Sequence, residues 1–281
     1  MPHERAAYQG IEGAYSEAAA RRFLARTGRQ AEPAGHPTFE AAIRAVEAGA
    51  CGWAMLPIEN TTAGSINEVY DLLVRSDLTL VGEEVLAVDH CLLALPGAPE
   101  AGIRRILSHP QALAQCMKFL AAREGCETVY FPDTAMAVRK VQSDGDPSQG
   151  AIASEEAGRR WGLAVLRRGL ADQGRNFTRF VAVARAPWPI PPGTAGRTSI
   201  VLAVPHQPGA LLRALAVFQT HDINLTKLES RPRPGMPFQY LFYMDFDGRA
   251  DDPGAAGALE ELRGATAFLK TLGTYAAAPR T

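Results

Sequence analysis

Over the first two thirds of the chain, short apolar runs alternate with longer stretches in which apolar residues recur every three or four positions. Short apolar runs are typical of buried strands, whereas the longer spacing predicts helices that pack by one face. Ser16 is expected to be the N-cap of the first helix, and Thr38 opens the second. The predicted strands are 6–9, 53–57, a long β-prone stretch at 81–95, 104–107, 128–131, 151–153 and 177–184, and the helices include 16–27 and 66–74.

This alternation predicts α/β layers with mainly parallel sheets. The strand at 177–184 comes last, after the chain has run through all the other elements of this part. We therefore expect a domain of two lobes in which the chain crosses over and returns, with a cleft between the lobes.

A break in composition at 186–196 separates two parts of the chain. Four prolines stand within these eleven residues, and such a run cannot continue a helix or a central strand. After it, the pattern predicts strand, helix, strand, strand, helix and strand. This βαββαβ order is the ferredoxin-like arrangement, which leaves one sheet face free to pack against a partner. We predict a first domain at 1–185, a linker at 186–196 and a second domain at 197–281.

Composition and charge argue against several classes of protein. The net charge of −1 provides no bulk field for nucleic acid or for an anionic membrane. No apolar run approaches the roughly 20 residues that span a bilayer, and the N-terminus lacks the apolar core of a signal peptide. We therefore expect a cytoplasmic protein that binds neither nucleic acid nor membranes. The four cysteines show no CxxC spacing and the six histidines no HxxxH or HxH pair, so we predict no metal site.

Three polar segments follow apolar strands, which is where α/β domains bind ligands, and a fourth leads into a strand. Residues 10–16 offer glycines and backbone N–H groups that favour an anion, although a plain helix cap explains them too. Residues 57–65 and 108–116 place polar side chains after two further strands; a capped turn and a structural histidine are the alternatives. Residues 172–180 enter a buried strand, where an unpaired polar group costs about 2–7 kcal/mol. Nucleotide binding is poorly supported, because neither GxGxxG nor GxxxxGK[ST] occurs.

The four polar segments and the C-terminal domain, in this order, together resemble prephenate dehydratase. The resemblance extends from about Ala6 to Tyr275. Ile11, Ala14 and Thr61 stand where Pro, Thr and Ser are usual in the family. No chorismate mutase segment precedes the domain, so a monofunctional enzyme is expected. The residues that carry the resemblance are 10–16, 57–65, 108–116 and 176–180, with 209–211 and 224–232 similar to an ACT domain.

The resemblance implies a two-lobed, periplasmic-binding-protein-like catalytic domain and a ferredoxin-like ACT domain. It implies a lyase of L-phenylalanine biosynthesis that converts prephenate to phenylpyruvate with loss of CO2 and water, without a metal or organic cofactor. Thr178 is implied to donate a hydrogen bond to the departing hydroxyl, with Glu59 as a candidate acid behind it if burial raises its pKa. Asn60 and Gln115 are the other implied catalytic residues. Those implied to bind the substrate are Gly13, Ser16, Thr61, Ser108, Asn176, Arg179 and Phe180.

Strand geometry constrains this implied site. Thr178 and Arg179 are neighbours in a predicted strand, so their side chains are expected to point to opposite faces. Arg179 can pair with a substrate carboxylate in a fork geometry. Both side chains touch the substrate only if the segment is irregular; otherwise Arg179 is structural.

The resemblance also implies that L-phenylalanine binds between two ACT domains of a homo-oligomer and regulates the activity. Gly209 would let the backbone approach the amino acid at a helix start, which suits a carboxylate. An ordinary helix start and strand end are the alternative. The residues implied to bind phenylalanine are Gly209, Ala210, Leu211, Asn224, Glu229, Ser230, Arg231 and Pro232.

Two other functions compete with this interpretation. Arogenate carries an amino group where prephenate has a keto oxygen, and the same site could act on it. A non-catalytic sensor, in which a two-lobed binder of small anions is joined to an amino-acid-binding module, is the alternative from another class. A binder has no need of a hydroxyl aimed at a leaving group, so the segment from Thr178 to Phe180 favours the enzyme.

Overall fold

The computed structural model describes residues 4–233 and 235–279. One compact unit combines the chain up to Val69 with Glu84–Phe180, and the other combines Tyr70–Glu83 with the chain from Val181 onwards. None of the helices within the described ranges is both long enough and apolar enough to cross a bilayer.

The strands are β1 (Arg5–Gln9), β2 (Glu32–His36), β3 (Trp53–Asn60), β4 (Gly64–Ser65), β5 (Thr79–Ala87), β6 (Cys91–Ala94), β7 (Arg105–Ser108), β8 (Glu127–Tyr130), β9 (Gln149–Ala153), β10 (Ala164–Arg167), β11 (Phe177–Ala184), β12 (Gly196–Ala203), β13 (Leu225–Pro232), β14 (Tyr240–Asp247) and β15 (Phe268–Ala276). The helices are α1 (Tyr15–Thr27), α2 (Phe39–Glu47), α3 (Asn67–Arg75), α4 (Pro110–Ala114), α5 (Met117–Ala121), α6 (Thr134–Asp144), α7 (Glu155–Trp161), α8 (Ala210–Thr220) and α9 (Pro253–Ala265), with a 3-10 turn at Glu100–Gly102.

Two mixed sheets underlie the first part of the chain. The first has the order β2-β1-β3-β11-β5, with β4 paired to β3, and β1 runs parallel to both β2 and β3. The second has the order β10-β6-β9-β7-β8, in which β7 runs parallel to β8 and β9 while β6 runs antiparallel to β9 and β10. Strands covered on both faces need apolar residues at nearly every position, and β3 is buried along almost its whole length. The predicted α/β fold class is confirmed.

The long β-prone stretch predicted at 81–95 is divided between these two sheets. β5 ends at Ala87 in the first sheet, and β6 begins at Cys91 in the second. The intervening residues carry the chain from one sheet to the other, and the chain returns through the loop between β10 and β11. The Val88 N–H donates to the carbonyl of Asn176 at 2.8 Å, so the two crossings lie side by side. This is the two-lobed arrangement, crossing and returning, that the strand order predicted.

The predicted N-cap of the first helix is wrong. α1 begins at Tyr15, its N-cap is Ala14, and no side chain caps it. The Gly13 N–H instead donates to the Glu17 carboxylate at 2.6 Å, and Gly13 adopts a φ of +92°. A turn of this kind starts the helix earlier than the sequence indicates and leaves Ser16 buried in its first turn.

The second unit contains the predicted βαββαβ order. Its antiparallel sheet has the order β13-β14-β12-β15, and β12 pairs with both β14 and β15. Apolar residues of β12, β14, α8 and α9 form its core, among them Ile200, Phe218, Phe246 and Leu262. The strand β13 forms one edge of this sheet.

The second unit also holds the C-terminal end of α3. Arg231 on β13 forms a two-bond ion pair with Asp71, at 2.7 and 3.2 Å. The ammonium group of Lys270 donates to the carbonyls of Leu73, Val74 and Ser76 at 2.6–3.2 Å. A cation at a helix C-terminus satisfies carbonyls that have no partner within the helix. A segment expected in the first domain thereby belongs to the compact unit that contains β12–β15.

Candidate active site

A cavity of about 450 Å³ lies in the first unit, large enough for a small organic molecule. Its walls come from the segments that follow β1, β3 and β7, from the starts of α1 and α6, and from β11. The residues predicted for the site that line this cavity are Ser16, Asn60, Gln115, Thr178 and Phe180.

Strand alternation decides which side chains at the start of β11 reach the cavity, where Thr178 and Phe180 line it. Asn60 and Thr178 line it, whereas their neighbours Glu59 and Arg179 are not among its described lining residues. The Arg179 Nη1 lies 3.8 Å from the Glu59 Oε2, so the two neighbours lie together as an ion pair. Adjacent residues of a strand point to opposite faces, which explains the separation. The structure therefore does not bring Glu59 to the cavity as an acid or Arg179 as a substrate ligand, and it fits the structural alternative for Arg179.

The orientation of the Asn60 amide is set by backbone groups. Its Oδ1 accepts from the N–H groups of Thr62 at 3.0 Å and Ala63 at 2.9 Å, which can only donate. Its Nδ2 therefore faces the other way and donates to the Asn176 Oδ1 at 2.7 Å and to the Thr178 Oγ1 at 2.9 Å.

The Thr178 hydroxyl oxygen consequently accepts a hydrogen bond from the Asn60 Nδ2. A hydroxyl has one proton to donate, and the bond from Asn60 uses only the oxygen. Thr178 lines the cavity with 8 % of its surface exposed. The geometry leaves the hydroxyl proton available to an acceptor in the cavity.

Gln115 connects the lobe that contains the second sheet, β10-β6-β9-β7-β8, to this network. It lies at the C-terminal end of α4, and its Nε2 donates to the Thr62 Oγ1 at 2.6 Å. Its Oε1 accepts from the Asn176 Nδ2 at 2.9 Å and lies 2.8 Å from the His90 Nε2. Four predicted residues from three segments of the chain are thus brought together: Asn60, Gln115, Asn176 and Thr178.

Three other predicted residues hold the backbone. The Thr61 N–H donates to the Phe177 carbonyl at 2.9 Å, and its hydroxyl accepts from the Phe177 N–H at 3.0 Å, which aligns the start of β11. The Ser108 hydroxyl is buried and donates to the Ile152 carbonyl at 2.5 Å. The Gly13 N–H, expected to meet an anion, is bonded to the Glu17 carboxylate.

The cavity wall also contains titratable residues that the sequence did not single out as catalytic. Asp133 caps α6 by accepting from the N–H groups of Ala135 and Met136, and burial raises the pKa of its carboxyl. His90 and His109 line the same wall. The sequence signal for Asp133 was a helix cap after β8, and a cap by itself indicates no chemistry.

A dianionic ligand would meet hydrogen-bond donors here rather than fixed cations. None of the described residues that line the cavity is Lys or Arg. The start of α1 faces the cavity through Ala14, Tyr15 and Ser16, and a helix N-terminus carries a partial positive charge.

One buried and two half-buried histidines make the stability of the first unit depend on pH. Burial lowers the pKa of His36, His90 and His109 from 6.5. Below that value the unfolded chain binds protons that the folded chain does not, so stability falls as the pH falls through the lowered values. Urea unfolding at about pH 7 and about pH 5 should show this loss. In His36→Gln the loss should be smaller, and an equal or larger loss would contradict the assignment.

The sequence model of the prephenate dehydratase family matches residues 6–187. The chain belongs to the prephenate dehydratase family. This family is one of carbon–oxygen lyases, and the four cleft segments fall within the matched residues. A curated relative, the chloroplastic arogenate dehydratase/prephenate dehydratase 2 of Arabidopsis thaliana, is 44% identical over 96% of this chain and 72% of its own length.

Two solved structures match nearly the whole chain. Prephenate dehydratase of Arthrobacter aurescens, in complex with L-Phe, is 30% identical with a TM-score of 0.86, covering 97% of this chain and 89% of that one. GqqA, described as a novel type of quorum quenching acylase, is 38% identical with a TM-score of 0.86, covering 98% of this chain and 99% of that one. The descriptions of these two structures name different activities, although both structures share the fold of this chain.

Proposed function

We propose that this chain converts prephenate to phenylpyruvate. In this reaction the ring carboxylate leaves as CO2, and the electron pair of the broken C–C bond enters the ring. The C4 hydroxyl departs with a proton as water, and the ring becomes aromatic. The observation that carries the proposal is the bond from the Asn60 Nδ2 to the Thr178 Oγ1, because it leaves the Thr178 proton for the departing oxygen.

Thr178 acts as a hydrogen-bond donor and not as the ultimate source of the proton. A threonine hydroxyl is far too weak an acid near neutral pH, where efficient general acids have matched pKa values. Glu59 lies beside Arg179, away from the described cavity lining. Asp133 lines the cavity, and burial raises the pKa of its carboxyl, so it is better placed than Glu59 to supply a proton.

The direct test is turnover of the purified protein on prephenate and on arogenate. Phenylpyruvate formed from prephenate, faster than phenylalanine from arogenate, supports the proposal. The Arabidopsis relative has both activities in its name, so faster phenylalanine formation would keep the chemistry and change the substrate. No product from either would favour the non-catalytic sensor.

Acylase activity, named for GqqA, is not favoured by this site. Amide hydrolysis by a side-chain hydroxyl needs a base that removes its proton. The Thr178 oxygen accepts from the Asn60 amide nitrogen, which is a donor and cannot serve as that base.

L-Phenylalanine is proposed as the regulator, bound in the second unit. A cavity of about 360 Å³ there is lined by the predicted residues Gly209, Ala210 and Leu211 together with apolar side chains that include Tyr240 and Phe242. Gly209 precedes α8 with a φ of +75°, so its backbone lies open at a helix start. The Arthrobacter relative was solved with L-Phe, which supports a ligand of this class.

The other residues implied to bind phenylalanine lie away from this cavity within one chain. Asn224 donates to the Asp247 carboxylate at 3.1 Å, and Arg231 is paired with Asp71. Glu229, Ser230 and Pro232 lie on the edge strand β13, none of them among the described lining residues. We propose that a second copy brings its β13 to the cavity, because an edge strand offers backbone groups for pairing. The exposed Leu228 and Tyr240 provide apolar area on this unit for such a contact.

Gly209→Ala is expected to weaken inhibition by phenylalanine about tenfold or more. A Cβ at this position would lie 3.2 Å from the Arg213 Nη1 and would occupy the space at the helix start that the ligand needs. Phenylalanine titration of dehydratase activity measures the effect, and uninhibited turnover should stay unchanged. Gly193→Ala is the matched control, since its φ of +74° is similar and nothing lies within 4 Å of its added Cβ. Equal inhibition of Gly209→Ala and the control would refute this binding site.

A further inference from the structure

His90 lies at the crossing between β5 and β6, where it is 2 % exposed and lines the cavity. Its Nε2 is 2.8 Å from the Gln115 Oε1, and its Nδ1 is 3.3 Å from the Tyr15 hydroxyl. That hydroxyl donates to the Asp89 carbonyl at 2.7 Å. The Asp89 carbonyl uses the Tyr15 proton, so the Nδ1 receives no hydrogen bond from it, and the imidazole is oriented by the Gln115 contact and by the edge-on packing of the Tyr15 ring.

The proton positions around His90 follow from the backbone groups at Asn60. Because the N–H groups of Thr62 and Ala63 require the Asn60 Oδ1 as acceptor, the amide cannot be reversed. The Asn60 Nδ2 then requires the Asn176 Oδ1 as acceptor, so the Asn176 Nδ2 faces the Gln115 Oε1 as a donor. The Gln115 oxygen is an acceptor in turn, and the His90 Nε2 must carry the proton.

We propose, on the basis of the proposed dehydratase function, that His90 is a positioning residue whose Nε2–H starts a one-way hydrogen-bond chain that ends at the Thr178 hydroxyl. The first donor is the His90 Nε2–H to the Gln115 Oε1, and the Gln115 Nε2 then donates to the Thr62 Oγ1 at 2.6 Å. The Thr62 hydroxyl donates to the Asn60 Oδ1 at 2.7 Å, and the Asn60 Nδ2 donates to the Thr178 Oγ1 at 2.9 Å.

A chain in which every donor points the same way polarises each of its members. The last member is the Thr178 hydroxyl, which becomes a better donor to an oxygen in the cavity. Loss of the first donor would leave the Asn176 Nδ2 as the remaining donor to the Gln115 Oε1 and would weaken the polarisation that Gln115 passes to Thr62. Burial lowers the pKa of His90, which keeps the ring in the neutral form that has one N–H and one bare nitrogen.

A matched pair of variants tests this role. Gln and Met have side chains of similar length, and only Gln can place an N–H near the position of the His90 Nε2. His90→Met is expected to lower kcat about tenfold or more with KM changed less than about threefold, as for groups that orient a reacting residue. His90→Gln should keep kcat within about threefold of wild type. Equal loss in both variants, or no loss in His90→Met, would overturn the proposal.

A second measurement needs no variant. In wild-type protein, ¹⁵N NMR of the imidazole at neutral pH should show the Nε2–H tautomer of His90, and the Nδ1–H tautomer would overturn the proposal. Wild-type turnover of prephenate separates this inference from the proposed function. If the wild-type protein does not turn over prephenate, both the proposed function and the catalytic role of His90 are refuted. The tautomer of His90 then still reports the direction of the hydrogen-bond chain. If wild type turns over and the two variants behave alike, only the inference about His90 fails.

Discussion

Thr178→Ala is expected to lower kcat on prephenate about 100-fold or more while leaving the fold intact. The hydroxyl is the last donor of the network, and alanine removes it from the cavity wall without adding volume. The Asn60 Nδ2 loses one of its acceptors but keeps the Asn176 Oδ1 and the Phe177 carbonyl. Steady-state turnover measures the loss, and the thermal midpoint of unfolding checks the fold.

Thr178→Ser is the control, because serine retains a hydroxyl on the same strand position. It should keep much more activity than Thr178→Ala, although the freer serine side chain lowers the fraction of time spent in the correct orientation. Near-normal turnover of Thr178→Ala would contradict the proposed role of the hydroxyl.

Arg197→Met is expected to destabilise the second unit by about 3–5 kcal/mol. The Glu83 carboxylate is 1 % exposed, and the Arg197 Nη1 lies 2.9 and 3.0 Å from its two oxygens. Removal of the guanidinium leaves a buried negative charge, for which one remaining partner is the backbone N–H of Ala278 at 2.8 Å. Urea unfolding followed by circular dichroism measures the change in the free energy of unfolding.

Arg105→Met provides the comparison. Arg105 and Glu127 are 2.8 Å apart but about half exposed, so loss of this pair should cost no more than about 1 kcal/mol. The double variant Arg197→Met with Glu83→Met should recover much of the lost stability, since apolar residues replace a buried ion pair at little cost. A loss in Arg197→Met no larger than that in Arg105→Met would show that Glu83 tolerates burial alone.

Much of the site could be predicted from the sequence because its residues stand at strand ends. Ligands of α/β domains bind where loops meet strand ends, so the polar residues after β3 and at the start of β11 were expected to line one cleft. The structure places the C-terminal end of β3 beside the N-terminal end of β11. Asn60 and Thr178 are 118 residues apart in the chain and 2.9 Å apart in the structure. The four segments in their order were also sufficient to indicate the family that the family match then established.

The sequence by itself determined the order of elements, the ferredoxin-like second part and the alternation of Thr178 with Arg179. In a strand, the side chains of adjacent residues point to opposite faces of the sheet. Only the tertiary structure decided that the Thr178 side chain faces the cavity and that the Arg179 side chain pairs with Glu59. Hydrogen-bond partners were likewise undetermined, since Ser108 could bind an anion or, as observed, the Ile152 carbonyl. His90 had no motif to mark it, because the role proposed for it depends on the Gln115 oxygen, 25 residues away. Periodicity records which face of an element is buried, whereas a polar group is assigned its function by the atoms that packing places within about 3 Å of it.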